Sequence, residues 1–129
     1  MRIRSSKGLL FLAMALTLGT VGCAASGGGG GSSRPAGATS TRIVRAELEP
    51  LGQLSALRAV ERLRPTWLRS RSGDDPVLYV DGSRRGNTND LANIMSSEIQ
   101  QIEYMSASDA TNRFGTGHAG GAILVQSLR

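Results

Sequence analysis

The sequence is short of the residue types that usually announce chemistry. Among 129 residues there is one cysteine, one histidine and one lysine, and only five aromatics: Phe11, Trp67, Tyr79, Tyr104 and Phe114. A single cysteine excludes an intrachain disulfide and a cysteine-based zinc site, and a single histidine excludes a His-cluster metal site. With so few aromatics, a core must be assembled from Leu, Ile, Val and Ala. A chain of this length supports at most one small domain, which speaks against a multi-step enzyme.

What is present begins with an address. Arg2, Arg4 and Lys7 precede an uncharged stretch over residues 8–21 that contains Leu9, Leu10, Phe11, Leu12, Met14, Leu16 and Leu18. A basic segment followed by an apolar one is the pattern of an export signal. Fourteen helical residues cover about 21 Å, short of the roughly 30 Å hydrocarbon core, so an uncleaved spanning anchor is the poorer reading. Small residues lead to Cys23, and residues 18–23 (LGTVGC) resemble a bacterial lipobox, with Thr20 standing where leucine is commonest. The resemblance implies cleavage after Gly22 and a lipid on Cys23. An ordinary secretory signal with an incidental cysteine stays open beside it.

Cleavage there would leave 12 arginines and no lysine against 10 acids, so the formal charge of +5 falls to +2. The basicity belongs largely to the leader, and nucleic acid is not an expected partner. Residues 24–41 are small and polar, with five consecutive glycines at 27–31. As a flexible coil this segment has an r.m.s. span of roughly 23 Å, enough to hold a domain off a membrane surface. The expected organisation is a signal peptide over 1–22, a lipidated Cys23 with a Gly/Ser-rich tether over 23–41, and a domain over 42–129.

Within that domain, Ile43 and Val44 suggest a short strand. Pro50 sits where a first helical position belongs, and Leu51, Leu54, Leu57, Val60 and Leu63 recur at helical spacing, predicting one helix that ends at Pro65. The apolar run at 77–80 predicts a strand closed by Asp81 and Gly82, a tight-turn pair that needs positive φ, with Ser83, Arg84 and Arg85 as a short return arm. Asn87, Asn89 and Asp90 offer caps for a short helix through Leu91 and Ile94. Ile102 and Tyr104 alternate with polar neighbours as a third strand. Ser106 with Asp109 three residues on predicts a brief helix through Ala110 and Phe114, stopped by Gly115. Residues 122–126 read as the last strand. The pattern is α+β: one mixed sheet of about four strands with two or three short helices.

Three segments, in order, resemble the plug domain of TonB-dependent outer-membrane receptors. Residues 77–82 (VLYVDG) look like its strand-plus-Asp-Gly element, and residues 99–107 (IQQIEYMSA) like its Ile-Glu-x-Ile-Glu-Val strand. Residues 113–125 (RFGTGHAGGAILV) look like its Tyr-Gly-x-x-Gly-x-x-Gly-Val-Ile ending, with Phe114 in the tyrosine position and Gly115, Gly120 and Gly121 in or near the glycine positions. The resemblance covers about 50 residues and implies a plug-like fold at an outer membrane. No barrel strand follows before Arg129 and no energy-coupling box is recognisable in the tether, so transport by this chain alone is not expected. No ligand-binding residue carries over.

Other features have plainer explanations. Gly115, Gly117 and Gly120 match the spacing of a dinucleotide fingerprint, but that mechanism needs a strand before and a helix after, and here the order is reversed. His118 is read as a solvated or turn-stabilising side chain. Asp81 and Asp90 are explained by a turn and a helix start, which leaves no carboxylate pair from Asp81, Asp90, Glu98 and Glu103 with a case for hydrolysis. Asp81, Gly82, Gly115, Gly120 and Gly121 are expected to act as structural turn residues. Arg62, Arg64, Arg69 and Arg71, with Trp67 between them, form the one basic cluster with an aromatic, and Arg64, Trp67, Arg69 and Arg71 are the candidate partner surface for anionic lipid or an acidic partner; the competing reading is a solvated arginine-rich connection with Trp67 packed on the core. No catalytic residue, metal ligand or cofactor is nominated. The expected function is that of a non-enzymatic, lipid-anchored outer-membrane module that binds an envelope partner. The alternative is an accessory component of a TonB-dependent uptake system that docks to a barrel supplied by another chain.

Overall fold

The computed structural model describes residues 33–69 and 73–129. The signal segment, Cys23 and the glycine run lie outside the described residues, as does Arg71.

Five strands form one mixed sheet in the order β1-β4-β5-β2-β3. They are β1 (Arg42–Val44), β2 (Val77–Val80), β3 (Ser83–Gly86), β4 (Ile99–Met105) and β5 (Ala122–Ser127), and three α-helices accompany them, α1 (Arg45–Leu48), α2 (Ala56–Leu63) and α3 (Ala107–Phe114). β2 and β5 run parallel and every other neighbouring pair is antiparallel. The domain is therefore α+β, with the return arm after Gly82 forming a fifth strand. β4 begins at Ile99, three residues before the Ile102–Tyr104 alternation, and a register shift between Ile99 and Gln101 accompanies its pairing with Ser127.

Alternation along each strand gives the sheet two unlike faces. The register lines up Ile43, Ile102, Val125 and Val80 across four strands on one face, with Leu78 beside Ile123 in a neighbouring row. Leu48, Ala56, Ala59, Val60, Trp67 and Leu91 cover that face from α1, α2 and two 3₁₀ segments, Pro65–Leu68 and Thr88–Asn93. Ile43, Leu78, Ile102 and Ile123 are all fully buried there. Each such side chain contributes about 1.5–3 kcal/mol relative to exposure, so this face holds the fold together. The opposite face carries a second, smaller cluster. Val77, Tyr79 and Ala122 pack under Ala110 of α3, with Met105, Phe114 and Leu124 partly buried against them.

The single helix expected over 51–63 is broken. α1 passes into a 3₁₀ segment, Glu49–Leu51, and Gly52 and Gln53 turn the chain before α2 starts at Ala56. Ser55 caps α2, its Oγ accepting from the Arg58 N–H at 3.4 Å, and the Ala56 N–H donates to the Ile94 carbonyl at 2.7 Å. Those bonds replace an intrahelical ladder through this region, and helical periodicity alone does not reveal them. At the other end α2 stops at Leu63 as predicted, with Arg64 outside the helical region (φ −143°, ψ 62°) ahead of Pro65.

The Asp81–Gly82 turn has positive φ at both residues, 49° and 81°, as a two-residue hairpin of the primed type needs. Gly120 and Gly121 close the turn where α3 hands over to β5, the Gly121 N–H donating to the His118 carbonyl at 2.8 Å, and they also permit a close backbone approach. A Cβ on Gly120 would fall against the backbone of Asp74 and Asp75, and one on Gly121 would lie 2.5 Å from the Met105 carbonyl oxygen. Two backbone segments approach too closely there for any side chain. Gly115 ends α3 with φ 90° and its N–H donates to the Thr111 carbonyl at 2.9 Å.

Candidate functional site

α3 covers only part of the second sheet face. A row of facing positions crosses all five strands on that side: Arg42, Glu103, Leu124, Tyr79 and Arg84. Tyr79 lies under Phe114, their rings stacked at 4.2 Å. The Glu103 and Leu124 end is left uncovered, beside the next row of Val44, Gln101 and Gln126. The result is an open groove of about 660 Å³ that borders Gln101, Glu103, Leu124 and Gln126 along the strands, Asp81 at one end, and Arg113 and Phe114 at the helix.

Each wall has a local cause. Gln101 and Glu103 alternate with the core residue Ile102, and Leu124 and Gln126 alternate with Ile123 and Val125, so the packing that buries the apolar set turns these side chains out. The Glu103 carboxylate pairs with Arg42 at 3.3 Å while both side chains remain more than a third exposed. Such a pair is worth at most about 1 kcal/mol and fixes orientation more than stability. At the helix end the Arg113 guanidinium lies 5.3 Å from the Phe114 ring centroid, which fixes a positive charge on the rim.

Asp81 closes the other end. Its carboxylate accepts the Ser127 hydroxyl at 2.5 Å and the Ser127 N–H at 3.0 Å. The hydroxyl hydrogen bond, followed by the N–H hydrogen bond, lowers the Asp81 pKa from its ordinary 3.8; the charges of Arg129 and Arg85 act in the same direction, and desolvation opposes them. The residue chosen for its turn geometry thus also ties the β2–β3 hairpin to the end of β5.

Behind the groove wall, His118 is buried, not solvated. Its Nδ1 lies 2.9 Å from the Gly115 carbonyl oxygen, which can only accept, so Nδ1 carries a proton. Nε2 lies 2.9 Å from the Tyr79 hydroxyl, which donates to it when the ring is neutral. The histidine therefore locks the 115–121 turn onto β2, with both nitrogens committed.

The basic cluster does not form the candidate partner surface as a unit. Arg64 is 7% exposed, and its Nη2 donates to both Glu47 carboxylate oxygens at 3.0 and 3.3 Å and to the Thr39 carbonyl at 2.9 Å. Trp67 is 4% exposed, stacked on Tyr104 at 5.8 Å, and its indole N–H donates to the Ser40 carbonyl at 3.0 Å. Both side chains turn inward because they satisfy the carbonyls of residues 39–40. The end of the segment read as tether is thereby fastened to the domain. Arg69 is exposed.

Sequence reasoning found Asp81 and the glycines, but not the groove-lining Gln101, Gln126 and Arg113 or the Tyr79–His118 bond. The polar alternation in residues 101–103 and 124–126 carried a signal for the first two. Among the described residues no group of three metal-ligating side chains converges, and no helix is long and apolar enough to cross a membrane. Compared with known proteins, the chain matches no family model, no curated protein and no solved structure.

Proposed function

We propose that this chain is a non-enzymatic, lipid-anchored outer-membrane protein whose plug-like domain serves as a binding module, with the uncovered half of the sheet face as its contact surface. The observation that carries the reading is the convergence of three separated segments. Residues 77–82, 99–107 and 113–125 contribute β2, β4 and β5, three adjacent strands at the centre of the sheet, and each sends residues to the same groove. A groove lined by three glutamines, the paired Glu103 carboxylate and the Arg113 guanidinium around Leu124 suits a hydrogen-bonding protein surface. The leader and Cys23 supply the proposed anchor.

Two measurements test this. Cys23→Ser should abolish incorporation of a radiolabelled fatty acid and release the chain from membranes; unchanged retention speaks for an uncleaved anchor. A photo-crosslinking residue placed at Leu124 or Gln126 in the intact envelope should capture a partner, whereas one at exposed Arg58 on α2 should not. Equal capture from both positions, or none from Leu124 and Gln126, removes the groove from the reading. A barrel protein recovered at those two positions selects the uptake-accessory alternative.

A further inference from the structure

β3 is the outer strand on its side of the sheet, and all four of its residues are exposed. It joins β2 through the two-residue turn at Asp81 and Gly82, so the flanking pair, Val80 and Ser83, is the hydrogen-bonded kind. The next pair, Tyr79 opposite Arg84, is then the non-hydrogen-bonded kind. The N–H and C=O of Arg84 consequently point away from β2, toward the open edge, where unpaired backbone groups are a template for another strand.

The side chains beside that edge differ between the two faces of the sheet. Arg84 shares the face of Tyr79. Arg85 is the extra residue where the register shifts, and it lines a groove of about 360 Å³ on the packed face with Leu78, Val80, Asp90, Asn93 and Ile94, so the positive charge free of a carboxylate at the edge is that of Arg84 on the other face. Val80 and Ile94 also line a second groove, of about 490 Å³, that includes Leu128, one of two exposed large apolar side chains among the described residues. Arg42, Arg45, Arg58 and Arg64 each have an ion pair within 4 Å, whereas among the described residues Arg84 and Arg85 have none.

We propose that the β3 edge takes up an extended segment of a partner protein as a sixth strand, and that this segment alternates acidic and apolar residues. Its backbone pairs with Arg84. Its carboxylates, all on the Tyr79 face, meet the Arg84 guanidinium, and its apolar side chains, on the other face, lie toward the groove at Val80 and Ile94. A second copy of this chain is the poorer occupant, since β3 against β3 sets arginines opposite arginines, and like charges across a strand pair are destabilising. The surface is distinct from the groove on the other face and goes beyond the reading given above.

The test uses the full chain in mild detergent and two fluorescein-labelled hexapeptides, one alternating Glu and Val and one alternating Lys and Val. Anisotropy should show binding of the acidic peptide at least ten-fold tighter than of the basic one. Arg84→Pro removes the outward N–H without removing a bond to β2, and proline is tolerated on edge strands; it should abolish binding with an unchanged circular dichroism spectrum. The double variant Arg84→Glu, Arg85→Glu should bind the acidic peptide at least ten-fold more weakly, and it decides the matter if the proline variant does not fold. Equal binding of the two peptides, no binding of the acidic one, or undiminished binding to the double variant overturns the proposal. Dimerisation of the chain that Arg84→Pro abolishes also overturns it, by assigning the edge to a second copy.

Discussion

The two faces of the sheet use the same five strands and end in opposite conditions. One face is sealed by two helices and two 3₁₀ segments, and its central residues are wholly buried. The other has a single eight-residue helix over one end and a polar groove over the rest. Stability is concentrated on the first face, which leaves positions on the second free to be chosen for what they contact. The difference is one of register: a one-residue slip would exchange the two sets of side chains.

Variants can break or sharpen that contrast. The largest effect is expected from Glu47→Ala in the layer over the sealed face. It leaves the buried Arg64 guanidinium without its carboxylate, and loss of one partner of a buried pair costs about 3–5 kcal/mol. Urea denaturation should show it, and a loss below 1 kcal/mol would mean that the pair is effectively solvated. Next comes a neighbouring pair on β4. Ile102→Ala should cost about 2–5 kcal/mol by cavity formation, whereas Glu103→Ala, one residue on and facing the groove, should cost at most about 1 kcal/mol. Equal losses would contradict the assignment of the faces.

A smaller effect is expected where the second face is locally closed. Tyr79→Phe removes the hydroxyl that bonds His118 Nε2 and leaves that buried nitrogen unpaired, at a cost of about 1–3 kcal/mol. The loosened turn should also show faster amide exchange at residues 115–121. The smallest effect concerns acid. Because the folded-state pKa of Asp81 is depressed, its contribution is present above the ordinary 3.8 and is lost as pH falls through the lowered value. Ser127→Ala removes the main cause, so the Asp81 carboxyl should titrate closer to 3.8 by carbon-detected NMR, and an unmoved titration would show that the hydroxyl does not set it.

Much of the fold was legible in the sequence because it depends on local chemistry. The apolar run at 77–80, the Asp81–Gly82 turn, the Ser106 cap and the stops at Pro65 and Gly115 each act within a few residues. The break between α1 and α2 was not legible. Leu51, Leu54, Leu57 and Val60 keep helical spacing, and the interruption comes from bonds to residues 94–96, some forty positions away. Trp67 and Arg64 were ambiguous for the same reason: an arginine-rich stretch looks solvated until the carbonyls of residues 39–40 are seen to receive its donors.

By itself, then, the sequence determined the class of the fold, its turns and the alternation that gives each strand a buried and an outward side, since these follow from backbone sterics and side-chain period. Only the tertiary structure decided that α3 stops short of Leu124, that His118 bonds Tyr79, and that Arg64 turns inward while Arg84 has no ion pair among the described residues. Those outcomes depend on which distant strands lie side by side. Strand order and register are set by the burial of the whole apolar set at once, and no local pattern contains that sum.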